Sequence, residues 1–134
     1  MLTKLPVLVI SSDSAQGDKA AEIVHRMGLP SVLCSSLTDA RALIGRQAFQ
    51  LVLCDDNLPD CNLRTSLKVL ASATGGVPIV VISHLAEWDS YMKALNAGAF
   101  DYIAFPAERA EAERILRLAL NHNSGARSAF HTAA

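Results

Sequence analysis

A chain of 134 residues, 51% of them hydrophobic, has the length of one domain and enough apolar material for one well-filled core, which argues against a second domain. Its 12 Lys and Arg against 13 Asp and Glu leave a formal net charge of -1, so no basic field collects phosphates and no direct nucleic-acid binding by this domain is expected. No apolar run approaches the roughly 20 residues that cross a bilayer, and Met1 to Pro6 lacks the charged start and apolar stretch of a signal peptide. The expectation is a cytoplasmic chain with no membrane partner. Cys34, Cys54 and Cys61 are odd in number and have no C-x-x-C spacing, so they read as free thiols.

In chain order, Val7 to Ile10 is a short, branched apolar run, the pattern of a strand. Ile23, Val24 and Met27 then share one face of a helix that Gly28 and Pro30 stop. Ser31 to Cys34 is the second strand, and Ala40, Leu43 and Ile44 line the second helix after Thr38, the expected N-cap. Leu51 to Cys54 is followed by a helix with Leu63, Leu67 and Leu70 inward; Ile79 to Ile82 is followed by one with Trp88, Tyr91, Met92 and Leu95 inward. The last strand is Tyr102 to Ala104, and the last helix starts near Ala107, just after Pro106, turning Ala112, Ile115, Leu116 and Ala119 inward. Beyond Asn121 the stretch HNSGARSAFHTAA has no periodicity. The expected organisation is one domain over 1–121 and a C-terminal tail or linker start over 122–134, with Phe130 as its one large apolar residue.

Runs that are apolar at every position belong to strands buried on both faces. Five of them alternating with helices through short links imply right-handed crossovers, hence an α/β fold with a doubly wound, five-stranded parallel sheet in the order 2-1-3-4-5. Ligands of such sheets gather at the carboxyl ends of the strands. The residues expected there are Ser11, Ser12, Asp13 and Ser14 after the first strand, and Asp55, Asp56 and Asn57 after the third. Ser83 and His84 follow the fourth, and Phe105 and Pro106 the fifth.

At these residues the chain resembles the receiver domain of two-component response regulators, a flavodoxin-like fold, over residues 5 to 121. The segment LVLCDDNLP ends the third strand on an acid with a proline four residues later, at Asp55 and Pro59; PIVVIS places a hydroxyl at Ser83; ALNAGAFDYIAFP is similar to the family's AGAxDYLxKP. The resemblance implies that Asp55 is the phosphoacceptor position for a sensor histidine kinase, that Ser83 is the hydroxyl that closes on the phosphoryl oxygen, and that Tyr102 is the aromatic switch that follows it inward. It also implies Mg2+ as a cofactor, with Asn57 contributing its backbone carbonyl.

Three positions depart from the family. Ser11 and Ser12 stand where receivers carry two adjacent acids, and Phe105 stands where they carry Lys. Phosphoryl transfer rests on positioning and electrostatics, so losing the anionic metal ligands and the cation removes much of its machinery. Asp13, one residue late, would have to turn inward to join Asp55 and Asn57 around a weakly held Mg2+. The leading expectation is an atypical receiver, not itself an enzyme, acting as a signal-input and protein-interaction module with weak or no phosphorylation control. Its partners would be an output domain or protein and a second copy of itself. Two alternatives stand beside it: a working phosphoacceptor at Asp55 with Asp13 supplying the metal carboxylate, and a flavodoxin-like domain that binds a small neutral or aromatic molecule against Phe105. Asp56 and Asp60 read as solvated loop acids, and His84 as a solvated loop histidine that could reach the pocket.

Overall fold

Each of the five apolar runs forms a strand, as residues apolar on both sides require when both sheet faces are covered. The structure, a computed structural model, describes residues 4–133, with side chains through His122. The elements are β1 (Val7–Ile10), α1 (Ser14–Arg26), β2 (Ser31–Cys34), α2 (Leu37–Ile44), β3 (Leu51–Asp55), α3 (Leu63–Thr74), β4 (Ile79–Ser83), α4 (Trp88–Asn96), β5 (Asp101–Ala104) and α5 (Arg109–Ala133). All neighbouring strands pair in parallel, in the expected order β2-β1-β3-β4-β5.

Alternate strand residues enter two separate cores. Val7, Val9, Leu51, Leu53, Val80, Ile82 and Ile103 meet Ala20, Ile23 and Val24 of α1 and Ala112, Ile115, Leu116 and Ala119 of α5. Leu8, Ile10, Val52, Cys54, Ile79, Val81 and Tyr102 meet Leu37 and Ala40 of α2, Leu67 and Leu70 of α3, and Ala94 of α4. Strands β3 and β4 run one residue further than their apolar stretches, because Asp55 pairs in register with Ile82 and Ser83 with Ala104. Two polar side chains are thereby held by strand backbone.

The helices differ from expectation at three places. The N-cap of α2 is Ser36, whose Oγ accepts from Asp39 N at 3.1 Å, while Thr38 lies within the first turn. Asp60, expected to be solvated, instead accepts from the Leu37 and Thr38 amides at 3.1 and 3.0 Å and from Thr38 Oγ1 at 2.9 Å, tying the β3–α3 loop to the start of α2. In α4 Ala94 is the buried residue and Tyr91 packs against the core, but Trp88 is 71% exposed and does not cover it. Beyond residue 121, where a C-terminal tail or linker start is expected, the α5 backbone is helical to Ala133. Alanine and arginine are strong helix formers, so Ala126, Arg127 and Ala129 carry a helix onward without any apolar period. The Phe130 side chain lies outside the described residues.

The three cysteines are unpaired thiols. Cys34 and Cys54 flank Ile10 in register on its two neighbouring strands. Burial pushes the Cys54 thiol far up and that of Cys34 to about 11. Cys61 is half-buried in the β3–α3 loop.

Leu70 is 0% exposed at the centre of the α3 contact, so Leu70→Ala is expected to cost about 2–5 kcal/mol in urea unfolding. Trp88→Ala should change stability by less than about 0.5 kcal/mol. Trp88 is the single tryptophan, and its emission should be that of a solvated indole, readily quenched by acrylamide.

Candidate functional site

The sheet order makes β1, β3 and β4 adjacent, so their carboxyl ends bring Ser11, Asp55, Asp56 and Ser83 together where the chain direction of winding reverses. Asp55 is 6% exposed. Its Oδ2 lies 2.9 Å from Ser11 Oγ, and its Oδ1 accepts from the Asn57 amide at 3.2 Å. Ser11 Oγ also lies 3.0 Å from the Asp13 carbonyl and accepts from Asp13 N at 3.2 Å, so its one proton serves either the carboxylate or the carbonyl. Burial raises the Asp55 pKa above the ordinary carboxylate value; the Ser11 hydroxyl opposes that, the neighbouring Asp56 carboxyl adds to it, and the Asn57 amide opposes it. Among the described residues no basic side chain hydrogen-bonds to or pairs with Asp55.

Ser83 is 0% exposed, and its Oγ donates to Asp56 Oδ2 at 2.6 Å while accepting from Leu85 N at 3.0 Å. Asp56 is thus not a solvated loop acid: a buried hydroxyl across the β3–β4 pair holds it. Tyr102 is 8% exposed, with its hydroxyl donating to the Leu85 carbonyl and its ring edge-on to Tyr91 at 6.0 Å. Leu85 therefore receives one side chain from β5 and gives its amide to β4, linking Ser83 to Tyr102 through one loop residue.

Asp13 is the N-cap of α1. Its Oδ1 accepts from Ala15 N at 3.0 Å and Gln16 N at 3.2 Å, while its Oδ2 lies 2.8 Å from His84 Nε2. The His84 ring and the Gln16 amide hold its carboxyl below the ordinary value. His84 does reach the site rim, as a partner of this exposed acid. Ser12 is exposed. Phe105 is 5% exposed and packs into the α1–α5 core; its ring belongs to the layer beneath the strand ends, and its amide donates to the Ser83 carbonyl at 2.7 Å.

Gln16 is a residue the sequence reading passed over. It is 1% exposed and its side-chain amide has no hydrogen-bond partner. The spacing of Asp13 and Gln16 is that of a capping box, in which Gln16 would return to the cap's own amide. Ser11 Oγ already occupies that amide, which leaves Gln16 unpartnered.

These features define a doubly wound α/β domain with an acidic cluster at its switch point. The family model for the response regulator receiver domain matches residues 7–117, and the chain belongs to that family. The transcriptional regulatory protein ZraR of Salmonella typhimurium is 27% identical over 119 residues, 89% of this chain and 27% of ZraR. The cell cycle transcriptional regulator CtrA of Caulobacter vibrioides is 30% identical over 106 residues, 78% of this chain and 46% of CtrA. The chain thus spans between a quarter and a half of these relatives' length. Among solved structures, a CheY-like receiver domain protein from Methanospirillum hungatei superposes with a TM-score of 0.78 at 23% identity, covering 91% of this chain and 98% of that one. NtrX from Brucella abortus does so with a TM-score of 0.87 at 22% identity, covering 93% of this chain and 29% of that one.

Because the folded state raises the Asp55 pKa, it binds a proton more tightly than the unfolded chain does. Stability therefore falls as pH rises from the unfolded value of 3.8 through the raised folded one, and above that window the charged carboxylate is a net cost. Asp55→Asn keeps an acceptor for the Asn57 amide without the charge, and its NH2 can donate to Ser11 Oγ, whose own proton then goes to the Asp13 carbonyl. It should raise the urea midpoint at pH 7 and flatten this part of the stability profile, which denaturation across pH would measure.

Proposed function

We propose that this receiver domain is a signal-input and protein-interaction module in which partner contact, more than phosphorylation of Asp55, selects the output conformation. The observation that carries the reading is the bonding of Asp55 to a hydroxyl and a backbone amide, with Ser11 and Ser12 at the end of β1 where the family carries two adjacent acids. Receiver domains generally bind Mg2+, a hard cation held in octahedral geometry by one or two carboxylates together with neutral oxygens. Here the Asp13 carboxylate is committed to the α1 cap and His84, and that of Asp56 to Ser83. Among the described residues no group of three or more His, Cys, Asp and Glu side chains is arranged to hold a metal. The donor set does not fit the ion.

The hydroxyl switch has the same difficulty. Ser83 must leave Asp56 and Leu85 N before it can meet a group on Asp55, exchanging bonds it already has. A net hydrogen bond contributes about 1 kcal/mol. Moving a population from one in a hundred to ninety-nine in a hundred takes about 5.5 kcal/mol of differential interaction. Without a cation at position 105 the remaining groups fall well short.

The partners this reading assigns are a sensor histidine kinase or its remnant contact, an output domain or protein, and a second copy of the chain. The two relatives described above are transcriptional regulators longer than this chain. Among the described residues no helix is long and apolar enough to cross a membrane. The domain is proposed to act by binding, without catalysis of its own.

Beryllofluoride with Mg2+ is expected to leave the amide signals of Asp55, Ser83 and Tyr102 in place, and acetyl phosphate to add no stable mass to the chain. Asp55→Ala should change partner affinity or self-association by less than about twofold. A large change in association on phosphodonor treatment, abolished by Asp55→Ala, would establish the working phosphoacceptor instead.

A further inference from the structure

Phe105 has a second face. Between α1 and the start of α5 lies a cavity of about 260 Å3 whose floor includes Ile23, Phe105 and Ala107 and whose rim carries Lys19, Arg26 and Arg109 against one acid, Glu22. The chain as a whole has a net charge of -1, so three basic groups around one apolar floor are a local reversal of sign. Glu22 is engaged by Arg26 at 3.1 Å, Arg109 approaches Glu113 only to 3.7 Å, and Lys19 has no ion pair among the described residues. An anionic occupant would find two cations not held at hydrogen-bonding distance by other side chains.

Size narrows the chemistry. Pockets for drug-sized ligands run to about 300–1,000 Å3, so this one suits a single ring or a branched aliphatic group with its charged end at the rim. The floor also touches the switch region, since the Phe105 amide donates to the Ser83 carbonyl at 2.7 Å.

We infer that this α1–α5 cavity binds a small organic anion, a single-ring carboxylate or phosphate ester, with its ring on Phe105 and its anionic oxygens between Lys19 and Arg109. The site is separate from Asp55 and does not depend on whether that residue is phosphorylated. Charge complementarity sets the anion, the aromatic and aliphatic floor sets the ring, and neither half alone accounts for the lining.

The test is titration of the full chain with benzoate and with phenyl phosphate, using inorganic phosphate and benzyl alcohol as half-ligands and backbone amide shifts as the signal. Saturable shifts are expected at Ile23, Phe105 and Ala107 and, through the shared hydrogen bond, at Ser83. The half-ligands should bind at least about tenfold more weakly. The exposed double variant Lys19→Glu with Arg109→Glu should weaken binding by a similar factor, and Ala107→Phe should fill the cavity and abolish it. If Ala107→Phe does not fold, the surface double variant still decides. Asp55→Ala should bind as the parent does, which separates this site from the phosphoacceptor. Absence of saturable shifts, equal binding of inorganic phosphate, or shifts centred on Asp55 and lost in Asp55→Ala would each overturn the inference.

Discussion

Burial of both faces of one small parallel sheet is the constraint on which the remaining structure depends. The four residues of β1 and the central residues of β3 and β4 are fully enclosed, so along these three strands polar side chains first appear at or just past the carboxyl end. The first polar side chains to appear there, Ser11, Asp55 and Ser83, are still buried and still hydrogen-bonded. Their geometry is inherited from strand backbone, and mobile loops contribute only their partners.

Two short hydrogen-bonded chains leave those strand ends. One runs from Asp55 through Ser11 to the backbone of Asp13, whose carboxylate caps α1 and meets His84. The other runs from Asp56 through Ser83 to Leu85 and on to Tyr102. The β4–α4 loop carries both His84 and Leu85, so the two chains, which start on the adjacent Asp55 and Asp56, meet again there. In a low-dielectric setting each member polarises the next, and removing one strands its neighbours. The side-chain network is consequently closed upon itself: its acids are served by hydroxyls, amides and a histidine instead of by a lysine.

Much of this was legible in the residues. The strands stood out because their apolar runs are uninterrupted and bounded by polar loops, and Asp55, Ser83 and Tyr102 stood out because their neighbours are family motifs. What stayed hidden has physical reasons. Ser35, Ser36 and Thr38 are all good cap residues, and the side chain that arbitrates among them, Asp60, is more than twenty residues away. Helical spacing groups Trp88 with Tyr91 and Leu95 but cannot tell that α4 begins at Trp88, where the first turn projects past the sheet. Asp56 looked like any acid in a loop because its partner is a hydroxyl on another strand. Gln16 offered a capping pattern, and only three-dimensional competition from Ser11 shows why the pattern is left incomplete.

The cysteines acquire a practical meaning from where the sheet puts them. Thiol reagents attack as thiolate meets electrophile, and burial denies the Cys54 and Cys34 sulfurs that form at neutral pH. Cys61, half-buried in the β3–α3 loop and six residues after Asp55, is the remaining thiol. An alkylating spin label or fluorophore applied to the unmodified chain under native conditions is therefore expected to react fastest at Cys61. That place lies on the loop that Asp60 fastens to α2, so the label would report motion beside the acidic cluster without any engineered cysteine.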